Sequence, residues 1–166
     1  ASARASFAIF HNQGQACIAG SRLLLHESIA DEFCDRFVAL ARSIRVGHPM
    51  AATTEMGPLT SPMHRDRVLS YVKVALDEGA ESLTGGKAPD DPELAHGCYI
   101  EPTVVRAEPD HRVCREEVFG PFVTVSTFHD DDEAIQIANS TDYGLGAGLW
   151  TRDLSRAHNM AAAFRA

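Results

Sequence analysis

The spacing of apolar and polar residues changes along this chain, and each change marks an element. Phe7, Ala8 and Phe10 give residues 3–11 the look of the last turns of a helix. Arg22 to His26, centred on Leu23-Leu24-Leu25, reads as a buried strand. From Ser28 to Ile44, Ile29, Phe33, Phe37, Leu40 and Ile44 recur at helical spacing and share one stripe, with Cys34 beside it as a packing residue. Gly47-His48-Pro49 closes this unit, and a polar loop runs through Gly57-Pro58-Leu59-Thr60. Ser61-Pro62 then predicts a helix start, a capping hydroxyl followed by proline at the first helical position. Val68, Val72, Ala75 and Leu76 carry that helix to a stop at Gly79.

Glu81 to Thr84 reads as a short strand leading into Gly85-Gly86-Lys87, and the polar stretch Ala88 to Gly97 as a surface loop. Tyr99 to Val105 is extended, with Pro102 arguing for an edge or irregular position. Val123 to Phe128 alternates like a strand. Asp130-Asp131-Asp132-Glu133 opens a helix containing Ala134, Ile135, Ile137 and Ala138, and Asn139-Ser140-Thr141 reads as its terminating turn. Gly146 to Trp150 is strand-like, and Asp153 caps a last helix. Strands alternating with helices predict an α/β layered fold, a mainly parallel sheet flanked by helices.

Composition narrows the function. The 166 residues suffice for one domain with a substantial core, and 45% are hydrophobic. Fifteen basic residues against 23 acidic give a net charge of −8, a field that disfavours nucleic acid and anionic membrane surfaces. Arg65 and Arg67, the densest basic pair, are expected on a solvated helix face. No stretch approaches the roughly 18 apolar residues of a membrane span. The four cysteines, Cys17, Cys34, Cys98 and Cys114, lack C-x-x-C spacing, so no metal site is expected. Nothing suggests a disulfide scaffold, and the expected compartment is the cytoplasm. The chain begins inside one helical pattern and stops inside another, so a piece of a longer protein is expected.

The candidate chemistry lies in Asn12-Gln13-Gly14-Gln15-Ala16-Cys17-Ile18-Ala19-Gly20-Ser21-Arg22. Most cysteines are inert packing residues. Cys17 instead stands among small residues, amides and two glycines, between a helix and a strand. That setting offers a thiol access to substrate and nearby backbone N–H groups, which a nucleophile needs. Glu116-Glu117-Val118-Phe119-Gly120-Pro121-Phe122 is a second constellation, two carboxylates before an aromatic and a Gly-Pro turn. Alone it would pass for a solvated acidic pair.

Together these two segments resemble the aldehyde dehydrogenase superfamily. Supporting stretches are Gly57-Pro58-Leu59, Gly85-Gly86, Glu101-Pro102-Thr103-Val104, Ala138 to Leu145 and Ala147 to Asp153. The resemblance covers essentially the whole chain. It implies that Cys17 is the catalytic nucleophile, attacking an aldehyde to form a thiohemiacetal and then a thioester. It implies NAD or NADP as cofactor, with Glu117 on the nicotinamide ribose, Phe119 lining the nicotinamide pocket and His64 touching the cofactor. The implied partners are a small-molecule aldehyde and, in the full-length protein, further copies in a dimer or tetramer.

Several family parts are missing. Gly144-Leu145-Gly146-Ala147-Gly148-Leu149 is not a dinucleotide-binding loop, because Leu149 stands where the last glycine would be. Thr84-Gly85-Gly86-Lys87 imitates the family's general-base motif but lacks its glutamate and follows the cysteine. The resemblance therefore implies a partial catalytic domain, truncated at both ends, over residues 1–166. The cofactor-binding domain would precede it and the oligomerisation strands would follow it, and the chain alone would have no turnover. A relative passing its thioester to coenzyme A or phosphate, and a non-catalytic scaffold keeping the fold, stay open at this point. Ile18 and Phe122 hint at an apolar pocket, and Met56 to Val72 is similar to the hydroxymuconic semialdehyde dehydrogenases.

Overall fold

Burial on both faces makes Phe122–Phe128 the middle of the structure, here a computed structural model describing residues 1–166. In chain order the elements are α1 (Ser2–Phe10), β1 (Arg22–His26), α2 (Glu27–Ser43), α3 (Pro62–Asp77), β2 (Glu81–Thr84), β3 (Thr103–Arg106), α4 (Arg112–Arg115), β4 (Phe122–Phe128), α5 (Asp131–Ala138) and α6 (Leu154–Ala163). The four strands form one sheet in the order β1-β4-β3-β2. β4 runs parallel to β1 and to β3, with Leu23 opposite Val125 and Val104 opposite Val123, while β2 pairs antiparallel to β3. The mainly parallel α/β architecture is as expected.

Helices cover both faces, which is why the inner strands are nearly continuous runs of apolar residues. On one face α1 and α2 pack through Ile9, Phe10, Phe37 and Ala41 onto Leu23, Leu25, Val104, Val123 and Val125. On the other, α3 and α4 pack through Val68, Val72, Ala75 and Val113 onto Val105 and Phe122. The polar residues of β4 are satisfied where they lie. Ser126 Oγ donates to the Ala107 carbonyl at 2.7 Å, and Thr124 Oγ1 donates to the Ser21 carbonyl at 3.4 Å.

Caps explain the helix starts. Ser61 Oγ accepts from the His64 N–H at 3.2 Å, and Pro62 follows at the first helical position. Asp130 and Asp153 cap α5 and α6 in the same way. Asn139 ends α5, donates to the Ala163 carbonyl at 2.9 Å and accepts from the Arg165 N–H, so the expected turn also ties down α6. Arg22 reaches from β1 to the Cys114, Ile137 and Ala138 carbonyls and closes the C-terminal ends of α4 and α5.

Three expectations change, for α2, β4 and Gly146 to Trp150, and the readings of α1 and Pro102 become more specific. The buried line of α2 is Ala30, Cys34, Phe37 and Ala41, one residue round from the predicted stripe, and Ile29 is exposed. Phe37 anchors this face among the smaller Ala30, Cys34 and Ala41, while Phe33 and Leu40 flank the contact at intermediate exposure. In α1 the buried residues are Ala5, Ser6, Ile9 and Phe10, and Phe7 points outward. β3 is an inner strand, so Pro102 marks its irregular lead-in and not a sheet edge. β4 does not alternate, since all of Phe122 to Ser126 is buried. Gly146 to Trp150 forms no strand, since it pairs with no other strand of this chain. The short helix α4 and the helical turn Pro92–Leu94, which buries Leu94 within the expected loop, carry no periodicity long enough to predict.

Replacing Phe37, 0% exposed, by alanine should cost about 3–5 kcal/mol of stability in the intact protein. Lys73→Ala, which breaks only an exposed pair with Asp77, should cost less than about 1 kcal/mol. Chemical denaturation of both variants checks this, and equal losses would refute the core assignment.

Candidate active site

The Cys17 loop begins with backbone that left-handed residues must supply. Asn12, Gln13 and Gly14 follow α1 with φ of 52°, 58° and 66°. Asparagine and glycine tolerate this region, whereas glutamine does so at a cost of roughly 1–2 kcal/mol. Hydrogen bonds hold the bend. Asn12 Nδ2 donates to the Gln15 carbonyl at 2.9 Å, the Gln15 N–H to the Asn12 carbonyl at 3.0 Å, and the Thr60 N–H to Gln15 Oε1 at 3.0 Å. The Ala19 N–H then donates to the Ala16 carbonyl at 2.9 Å, forming a turn with Cys17 and Ile18 at its tip. Both tip residues are exposed, and the Cys17 N–H has no partner within the chain.

Gly14 joins this loop to the second motif. A Cβ there would lie 1.9 Å from the Gly120 carbonyl oxygen, so the two backbones meet in direct contact. A Cβ on Gly120 would in turn lie 2.7 Å from Val68 Cγ2 on α3. The glycines flanking the two motifs were the only trace of this junction in the sequence.

In the second motif the two carboxylates differ. Glu116 accepts from Tyr71 Oη at 2.8 Å and from Arg112 at 3.1 and 3.2 Å. The Arg112 guanidinium, followed by the Tyr71 hydroxyl, holds the Glu116 carboxyl below the ordinary range. Glu117 is exposed, and nothing donates to its carboxylate. Val118 is buried, anchoring the segment, and Phe119 follows with a φ of 61°. His64 Nε2 lies 2.6 Å from the Phe119 carbonyl, and the two rings meet edge to face at 6.0 Å. Because a carbonyl only accepts, Nε2 carries the proton.

The structure therefore brings His64 and Phe119 into contact, sets Glu117 beside them and docks the Cys17 loop on Gly120. Arg67 and Tyr71 also belong to this region, although nothing in the sequence marks them as site residues. Arg67 is exposed, as expected, yet it also donates to the Glu117 and Val118 carbonyls at 2.9 and 3.0 Å. Arg65 likewise turns inward to the Gly97 carbonyl. The expected pocket formed by Ile18 and Phe122 is absent, since Ile18 is exposed and Phe122 is packed in the core at 1% exposure. All four cysteines are free thiols. Burial pushes the Cys34 and Cys114 thiols up, whereas Cys17 faces solvent.

Comparison with known proteins identifies the pattern. The aldehyde dehydrogenase family profile matches residues 1–166. Betaine aldehyde dehydrogenase of Bacillus subtilis is 45% identical over 159 residues, which are 95% of this chain and 32% of that protein. The crystal structure of PnpE from Pseudomonas sp. WBC-3 superposes with a TM-score of 0.98 at 65% identity, covering 99% of this chain and 34% of that one. A structure of PnpE in complex with nicotinamide adenine dinucleotide matches equally well. The chain thus spans about a third of the length of the relatives it matches.

Exposure orders the thiols. Iodoacetamide should modify Cys17 first in the intact protein, with Cys34 and Cys114 modified only on unfolding, as read by peptide mass spectrometry. Labelling of all four at one rate would refute the placement of Cys17.

Proposed function

Because the chain belongs to the aldehyde dehydrogenase family, we propose that the intact protein oxidises an aldehyde or semialdehyde to a carboxylate with NAD(P)+, using Cys17 as nucleophile. One observation carries this reading. Cys17 stands at an exposed turn with a free backbone N–H, on a loop docked against the segment that presents the one unengaged carboxylate of its motif.

The Cys17 thiolate attacks the aldehyde carbon, forming a C–S bond and a thiohemiacetal. Its unpaired N–H is suited to the oxyanion that develops, with a second donor, an asparagine amide, supplied from outside this chain. NAD(P)+, when bound, supplies the hydride acceptor. Loss of the hydride on the thiohemiacetal carbon would convert the adduct on Cys17 to a thioester. Water, activated by a glutamate also outside this chain, cleaves it to release the acid and regenerate the thiol.

The residues present fit the cofactor. An ionised carboxylate accepts from both hydroxyls of a ribose diol, and of the two glutamates only Glu117 is free to do so. Phe119 offers an apolar ring to the nicotinamide. His64 borders the same place, with Nε2 already committed to Phe119 and Nδ1 without a partner. The nicotinamide adenine dinucleotide complex of PnpE supports NAD as the cofactor. In an intact protein of its relatives' length, the remaining chain would supply a cofactor-binding domain and the strands of a homo-oligomer. Four unpaired thiols support a cytoplasmic setting, and the similarity of Met56 to Val72 to hydroxymuconic semialdehyde dehydrogenases supports a semialdehyde substrate.

In the intact enzyme, Cys17→Ala should lower kcat about a thousandfold or more while cofactor binding persists. Glu117→Gln should raise the KM for NAD+ about tenfold and leave Cys17 labelling unchanged. NADH formation and cofactor titration check both, and a Cys17→Ala enzyme that still turns over would refute the assignment.

A further inference from the structure

The segment Glu116 to Phe119 is held in a way its own backbone does not provide. It lies between α4 and β4, in neither helix nor strand. No backbone N–H donates to the Glu117, Val118 or Phe119 carbonyls. All three instead accept from side chains of α3: Arg67 serves Glu117 and Val118 at 2.9 and 3.0 Å, and His64 serves Phe119 at 2.6 Å. Tyr71 completes the row by donating to the Glu116 carboxylate at 2.8 Å, and the Arg67 guanidinium lies 5.1 Å over its ring. His64, Arg67 and Tyr71 are three and four residues apart, so they line one face of the helix. Three side chains thus fix four successive residues, and the only polar side chain of the segment left over is the Glu117 carboxylate.

We propose that this row is the positioning device of the cofactor site: Arg67 and His64 set the backbone of residues 117–119 so that the Glu117 carboxylate faces the nicotinamide ribose. The assignment rests on the reading of Glu117 given above. Regular structure would lock such a segment through backbone hydrogen bonds. Here the lock is made of side chains, so single substitutions release it while the sheet and its core stay intact. Phe119 depends on it most, because its left-handed backbone is unfavourable for an aromatic residue. Arg112 and Tyr71 neutralise and orient Glu116, so that it does not compete with Glu117 for the same hydroxyls. Arg67 and His64 are positioning residues, acting on the cofactor through the carbonyls they hold.

The full-length enzyme tests this by KM for NAD+, KM for the aldehyde and the iodoacetamide labelling rate of Cys17, with Glu117→Gln measured alongside. Arg67→Met should raise the KM for NAD+ about tenfold, leave the aldehyde KM within about twofold and leave Cys17 labelling unchanged. Arg67→Lys, which keeps a charged donor, should recover part of the loss. His64→Leu should raise the KM for NAD+ roughly fivefold, and His64→Gln, which keeps a donor nitrogen, should recover most of it. Should Arg67→Met fail to fold, the His64 pair decides. Unchanged NAD+ affinity in Arg67→Met and His64→Leu, beside a weakened Glu117→Gln, would overturn the device and leave the ribose reading intact. So would an equal rise in both KM values, which marks general damage. Unchanged affinity in Glu117→Gln would overturn both.

Discussion

Two backbones touch at Gly14 and Gly120, and the candidate site depends on that contact. Neither position has room for a side chain: one would strike the Gly120 carbonyl, the other Val68 of α3. The contact couples a loop leaving α1 to a segment that enters the central strand far along the chain. Through it, the loop that carries the exposed thiol is joined to the segment that carries the free carboxylate. Val68, fully buried beneath Gly120, extends the coupling to the helix that holds the carboxylate segment.

The surroundings make that junction rigid. Pro121 accepts from the Thr103 N–H at 2.8 Å, so the second motif passes directly into the pairing of β3 with β4. β4 is buried on both faces and flanked on both edges, which leaves its start little freedom to move. The left-handed residues other than glycine lie directly beside this junction. Asn12, Gln13 and Phe119 all adopt left-handed backbone, and each lies in a segment tied down by side-chain hydrogen bonds. Strain of this kind persists where tertiary contacts over-determine the conformation. Its concentration around Cys17 and Glu117 agrees with a site whose geometry is maintained against local preference.

The division between Glu116 and Glu117 shows how neighbours of one residue type acquire different duties. Adjacent residues in an extended segment point to opposite sides. One carboxylate meets Tyr71 and Arg112 and becomes structural. The other meets solvent and stays available. Arg65 and Arg67 divide likewise, one toward the Gly97 carbonyl and the other toward Glu117 and Val118.

Much of the fold was legible in the sequence, because β1, β2, α3, α5 and α6 are announced by short-range signals: apolar runs, capping residues and proline at the first helical position. The candidate nucleophile was legible too, from small residues and glycines around one thiol. Signals of that kind act over a few residues, so local physics suffices to state them. What only the tertiary structure decided depends on partners distant in sequence. The inward face of α2 was set by its packing against α1 and the sheet, centred on Phe37. Gly146 to Trp150 found no strand to pair with. Arg67 reads in sequence as a surface charge and stays exposed, but folding also brings the Glu117 and Val118 carbonyls within its reach. A lone residue's donor groups say what it can hold, and only the packed chain says what lies within its reach.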